Sequence, residues 1–123
     1  MSPKQALAPQ PSEYEEMRIV AKWLDARGVH WFHPPNEGKR HFGTAAKLKA
    51  CGLKAGASDV LIFSRAPNFP MLRGVAIELK RRKGGVVSDA QRTFLERCAD
   101  NGWLAQVCHG AEDAIALLTS LGY

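Results

Sequence analysis

Asp59 and the triplet Glu78-Leu79-Lys80 are the residues of this chain whose types and spacing can do chemistry. In a strand, side chains at i and i+2 share a face, so Glu78 and Lys80 project together while Leu79 goes to the other side. Antiparallel pairing of a strand that begins at Asp59 with one that ends at Lys80, through a connector over 64–74, brings the start of the first to the end of the second. Two carboxylates and an ammonium then share one small patch. Carboxylates repel each other, and a hard divalent cation relieves that repulsion. Mg²⁺ takes a couple of carboxylates together with waters and phosphate oxygens. A cation held there lowers the pKa of a bound water and neutralises charge on a reacting phosphodiester. Lys80 can orient or deprotonate the attacking water, or stabilise the crowded phosphorus, and the Leu79 carbonyl can add a ligand. The triplet alone also fits a same-face surface salt bridge. Against that stands the apolar run Val75-Ala76-Ile77 just ahead of it, which puts the carboxylate and the lysine at the edge of a core.

The elements that must position these groups follow from caps and periodicity. Ser12 with Glu15 reads as a capping box opening a helix to about residue 27, with Gly28 as its stop and Met17, Val20, Ala21 and Leu24 as its buried stripe. A strand over 29–33 ends at Pro34-Pro35, and a polar, basic loop follows. A short helix over 44–50 carries Lys47 and Lys49. After the turn Gly56-Ala57-Ser58 come strands over 59–63 and 75–80. Ser88 and Gln91 form a second capping-box pair, starting a helix to about residue 101 with Phe94, Leu95 and Cys98 facing inward. A strand over 103–108 and an amphipathic helix over 112–121 complete the order α-β-(α)-β-β-α-β-α. This is an α/β pattern, a mixed central sheet flanked by helices. Residues 1–11, with three prolines and little to bury, read as a loose tail, and 12–123 as one domain.

Composition narrows the function classes. Hydrophobic residues make up 46% and charged residues 24%, and no apolar run approaches the roughly 20 residues of a membrane span. Cys51, Cys98 and Cys108 are odd in number and widely spaced, which argues against a disulfide framework or a structural zinc site and fits the cytoplasm. The four histidines lack the paired spacing of zinc ligands and read as ordinary surface or core residues. The net charge is +5, and its placement says more: 39–83 holds eleven of seventeen basic residues and only two of twelve acidic ones, Asp59 and Glu78. A basic segment of this kind implies a polyanionic partner, nucleic acid before a membrane surface.

Several ordered motifs carry a family resemblance. Gly56-Ala57-Ser58-Asp59-Val60-Leu61, then Ala76-Ile77-Glu78-Leu79-Lys80-Arg81, then Ser88-Asp89-Ala90-Gln91 and Gly102 resemble the VRR-NUC domain of the PD-(D/E)xK, restriction-endonuclease-like nucleases, in its small stand-alone, phage-type form. The resemblance implies a restriction-endonuclease-like α-β-β-β-α-β core. It implies that Asp59 and Glu78 bind Mg²⁺ or Mn²⁺, that Lys80 is the catalytic lysine, and that Gln91 is the family's glutamine beside the site. The family's first motif is a glutamate on the opening helix. A helical wheel of about 100° per residue puts Glu13 on the inward stripe and Glu16 at its flank, which selects Glu13, with Glu16 as the alternative. Asn36-Glu37-Gly38-Lys39-Arg40 resembles the family's loop after the first strand. With Lys47 and Arg81, Asn36 and Arg40 make an expected DNA-contacting rim. The function implied is metal-dependent cleavage of DNA, selective for branched forms such as four-way junctions, by a homodimer in a bacterial or phage-infected cell. A DNA-binding module that keeps the fold without cutting is the alternative.

Overall fold

Val75–Lys80 is buried at all six positions, and the other elements are laid around it. The computed structural model describes residues 9–35 and 42–123, with the side chains of the second stretch from residue 46 onward. The elements are α1 (Glu13–Ala26), β1 (Trp31–Phe32), α2 (Phe42–Ala50), β2 (Val60–Ile62), β3 (Val75–Lys80), α3 (Asp89–Asp100), β4 (Leu104–His109) and α4 (Ala111–Ser120). This is the order read from the sequence. The four strands form one mixed sheet in the order β1-β2-β3-β4, antiparallel except for the parallel pair β3 and β4.

One face of the sheet is hydrocarbon. Val60, Ile62, Val75, Ile77, Leu79 and Cys108 pack with Val20 and Leu24 of α1 and Ala114 and Leu118 of α4 in a single cluster. Met17, from the expected stripe of α1, packs at its margin. Of the expected Ser12–Glu15 capping box the serine half is formed, the Ser12 hydroxyl accepting from the N–H of Glu15 at 3.1 Å. On the opposite face of the sheet, which carries Ala76, Glu78 and Lys80, α3 reaches Glu78 and Lys80 through Gln91.

Three expectations need correction. The strand over 29–33 shrinks to two paired residues: the His30 carbonyl still accepts from the N–H of Phe63 opposite it at 2.8 Å, but the His30 N–H leaves the ladder for Ser64 Oγ at 2.7 Å. Phe94, Leu95 and Cys98 of α3 are half-buried, and α3 contributes no buried residue. An open cleft between α3 and Lys54, Ala55 and Trp103 leaves that flank to solvent. Gln10, placed by composition in the loose tail, is docked: its side-chain amide donates to the Lys83 carbonyl and accepts from the Lys83 N–H, both at 3.1 Å. The three cysteines are unpaired, and none of the described helices is long and apolar enough to cross a membrane.

Candidate active site

The register Val60↔Ile77 sets Asp59, one residue ahead of β2, opposite Glu78. The turn that delivers Asp59 is pressed against the start of α3. Gly56 has φ +79°, and a Cβ there would stand 2.4 Å from the Ala90 main chain, so only glycine serves both the backbone and the contact. Asp59 Oδ2 accepts from the Leu79 N–H at 2.7 Å. The carboxylate thus takes a donor that a longer β2 would have taken with its main chain. In a strand the N–H and C=O of one residue leave on the same edge, so the Leu79 carbonyl also lies on Asp59's side.

Glu78 is only 2% exposed and Lys80 7%, on the same face of β3. The Lys80 ammonium stands 3.6 Å from Glu78 Oε1. Gln91, in the first turn of α3, ties both together. Its Nε2 donates to Glu78 Oε1 at 2.6 Å, and its Oε1 accepts from Lys80 Nζ at 3.1 Å and from the Ser88 N–H at 2.9 Å. Two donors facing one end of the amide and a carboxylate facing the other fix its orientation. The capping box is complete, since Ser88 Oγ accepts in turn from the Gln91 N–H. Gln91 thus caps the helix and bonds both members of the ionisable pair.

The electrostatics are those of a site short of positive charge. Burial, then the neighbouring Asp59 carboxylate, push the Glu78 carboxyl up to about 8, against the pull of Lys80. Burial also raises Asp59, opposed by the Leu79 N–H and His33 and reinforced by the charge of Glu13. Glu78 Oε2 is buried with no hydrogen-bond partner. A buried acceptor without a donor costs roughly 1–3 kcal/mol, and a divalent cation between the two carboxyls would relieve both that loss and their repulsion. Among the described residues no three His, Cys, Asp or Glu side chains converge. The donor set is two carboxylates and a carbonyl, which suits Mg²⁺ or Mn²⁺ better than zinc.

The glutamates of α1 exchange places relative to the wheel. Glu13 is exposed but near enough to raise the Asp59 carboxyl through its charge. Glu16 is fully buried, with Oε2 3.1 Å from Arg82 Nε and Oε1 3.3 Å from Arg82 Nη2. Helical side chains lean toward the N-terminus, so the first-turn Glu13 points out past the sheet. Glu16 instead meets Gly110, where a Cβ would come within 2.6 Å of Oε2. Glu16 thus anchors the chain after β3 through an ion pair in which the carboxylate is buried and the Arg82 side chain is 45% exposed.

Of the expected rim, Lys47 and Arg81 are exposed, while Asn36 and Arg40 lie outside the described residues. The Arg81 carbonyl accepts from His109 Nδ1 at 3.1 Å, which fixes its backbone and leaves its side chain outward. One neighbour of the site escaped the sequence reading: His33 Nδ1 lies 2.7 Å from the Asp59 carbonyl. The signal was the strand ending at Pro34-Pro35, because antiparallel pairing with β2 carries the residue after Phe32 toward Asp59.

The VRR-NUC domain family matches this sequence over residues 10–112. A solved structure described as a VRR_NUC domain protein is similar at a TM-score of 0.76 and 24% identity, over 94% of this chain and 91% of that chain, a likeness of fold. Comparison with curated proteins finds no match.

Proposed function

As the chain belongs to the VRR-NUC domain family, a family of nuclease domains, we propose that it is a metal-dependent DNA endonuclease whose centre is Asp59, Glu78 and Lys80, with Gln91 and Glu13 beside it. The observation that carries this reading is the partnerless Glu78 Oε2, buried next to a second carboxyl. Asp59, Glu78 and the Leu79 carbonyl would hold Mg²⁺ or Mn²⁺, which when bound supplies a nucleophile at neutral pH and charge neutralisation at the phosphate. Lys80, kept in place by Gln91, presents its ammonium to the attacking water and to the phosphoryl oxygens. Glu78 Oε1 and Gln91 Oε1 together keep that ammonium aimed. Glu13 adds negative charge at the entrance. Lys47 and Arg81, with Asn36 and Arg40, contact the DNA backbone without reading sequence.

The substrate we propose is branched DNA such as a four-way junction. The described residues hold one such centre, so symmetric cutting of two strands calls for a twofold dimer. The unpaired thiols support work in the cytoplasm of a bacterial or phage-infected cell.

The test is cleavage of labelled four-way-junction, flap and linear DNA with Mg²⁺, Mn²⁺ or EDTA. The wild type should cut the junction best, and only with metal. Asp59→Ala and Lys80→Ala should each lose on the order of 10³ in rate while still binding DNA. Salt-sensitive binding without cutting of any substrate would reduce the protein to a DNA-binding module.

A further inference from the structure

The two carboxyls are held by different means. Glu78 is gripped at its side chain by Gln91. Asp59 receives the Leu79 N–H on Oδ2, and its main chain is held from the other side by His33. A carbonyl only accepts, so His33 must carry a proton on Nδ1 where the two meet. Local sequence fixes the ring there. Phe32 pairs with Leu61, so the next residue arrives beside the start of β2, and the buried Pro34 seats the chain just beyond. The peptide of Asp59 lies outside the β2–β3 ladder, which makes the imidazole the clamp that orients it.

We infer that His33 is a positioning residue for Asp59, whose ring N–H fixes the direction in which that carboxylate faces Glu78. The role needs an N–H donor at this position, which the geometry of the contact supplies. Groups that orient a ligating residue typically govern metal affinity by 10- to 100-fold, and His33 acts on Asp59 through its main chain. The inference rests on the metal-centre reading, but its first consequence exists without metal: if the clamp goes, the bond from the Leu79 N–H to Asp59 Oδ2 loosens.

The experiment compares wild type, His33→Ala and His33→Asn, since an asparagine amide can replace an Nδ1–H donor. In metal-free protein, the Leu79 amide proton followed by NMR should move upfield in His33→Ala and return in His33→Asn. In a separate titration without DNA, Mn²⁺ affinity read by paramagnetic resonance should fall at least about tenfold in His33→Ala and recover in His33→Asn. The melting temperature should stay level in all three. An unmoved Leu79 amide with Mn²⁺ affinity within about twofold sinks the clamp and leaves the metal centre standing. The clamp fails equally if asparagine does no better than alanine. A wild type that binds no Mn²⁺, while Leu79 still answers to His33, upholds the clamp and sinks the metal reading.

Discussion

Val75, Ile77 and Leu79 leave one face of β3, and Ala76, Glu78 and Lys80 leave the other; all six are buried. On the first face, burial stabilises, at roughly 1.5–3 kcal/mol for each aliphatic side chain taken from water. On the second, burial works against ionisation: Glu78 is pushed up to about 8, so its charged form stands a few kcal/mol above its place in water. The difference teaches that burial and stability are separate matters in one strand. The hydrocarbon face holds the sheet rigid, and that rigidity keeps two carboxyls closer than they would choose.

The comparison breaks most sharply at Glu78. Glu78→Gln should abolish metal-dependent cleavage, by on the order of 10³ or more, yet leave the metal-free fold at least as stable as the wild type. Its sign with pH follows from the raised carboxyl. The protonated form stabilises the fold fully below about 4.5, and that stability is lost as pH rises through about 8. Wild-type protein in EDTA should therefore melt lower at pH 8.5 than at pH 5, and Glu78→Gln should flatten that slope. A wild type that melts higher at pH 8.5 would reverse the assignment. On the other face the effect is purely structural. Ile77→Ala should cost roughly 2–5 kcal/mol in urea unfolding, with cleavage per folded molecule largely kept. The smallest effect belongs to Ser58, fully buried beside Asp59 with an unpartnered hydroxyl. Ser58→Ala should leave stability unchanged or raise it by about 1 kcal/mol, and a loss in thermal melts would mean that the hydroxyl has a partner after all.

The same division explains what could be read in advance. β3 and the meeting of Asp59 with Glu78 were legible because a strand alternates strictly and one antiparallel connection fixes the register. The Ser88–Gln91 box was legible because a cap is a local rule. What escaped depends on partners remote in sequence. A wheel drawn for α1 alone cannot know that Gly110 and Arg82 arrive to bury Glu16. Composition marks 1–11 as a tail without knowing that Lys83 offers its main chain to Gln10. His33 passed for an ordinary histidine because its partner, the Asp59 carbonyl, lies 26 residues away in sequence. α3 kept its apolar spacing but turns Phe94 and Cys98 toward an open cleft.

Gln91 makes the beginning of a helix and the alignment of an acid and a lysine one event. α3 brings no buried residue to the core, and segments with few buried contacts open at a lower free energy than the strands they lie on. The sheet can therefore be whole while its chemistry is momentarily off. If the proposed centre is the working one, turnover follows the fraction of time that one helical turn stays wound, and anything that leans on that turn becomes a dial on the rate.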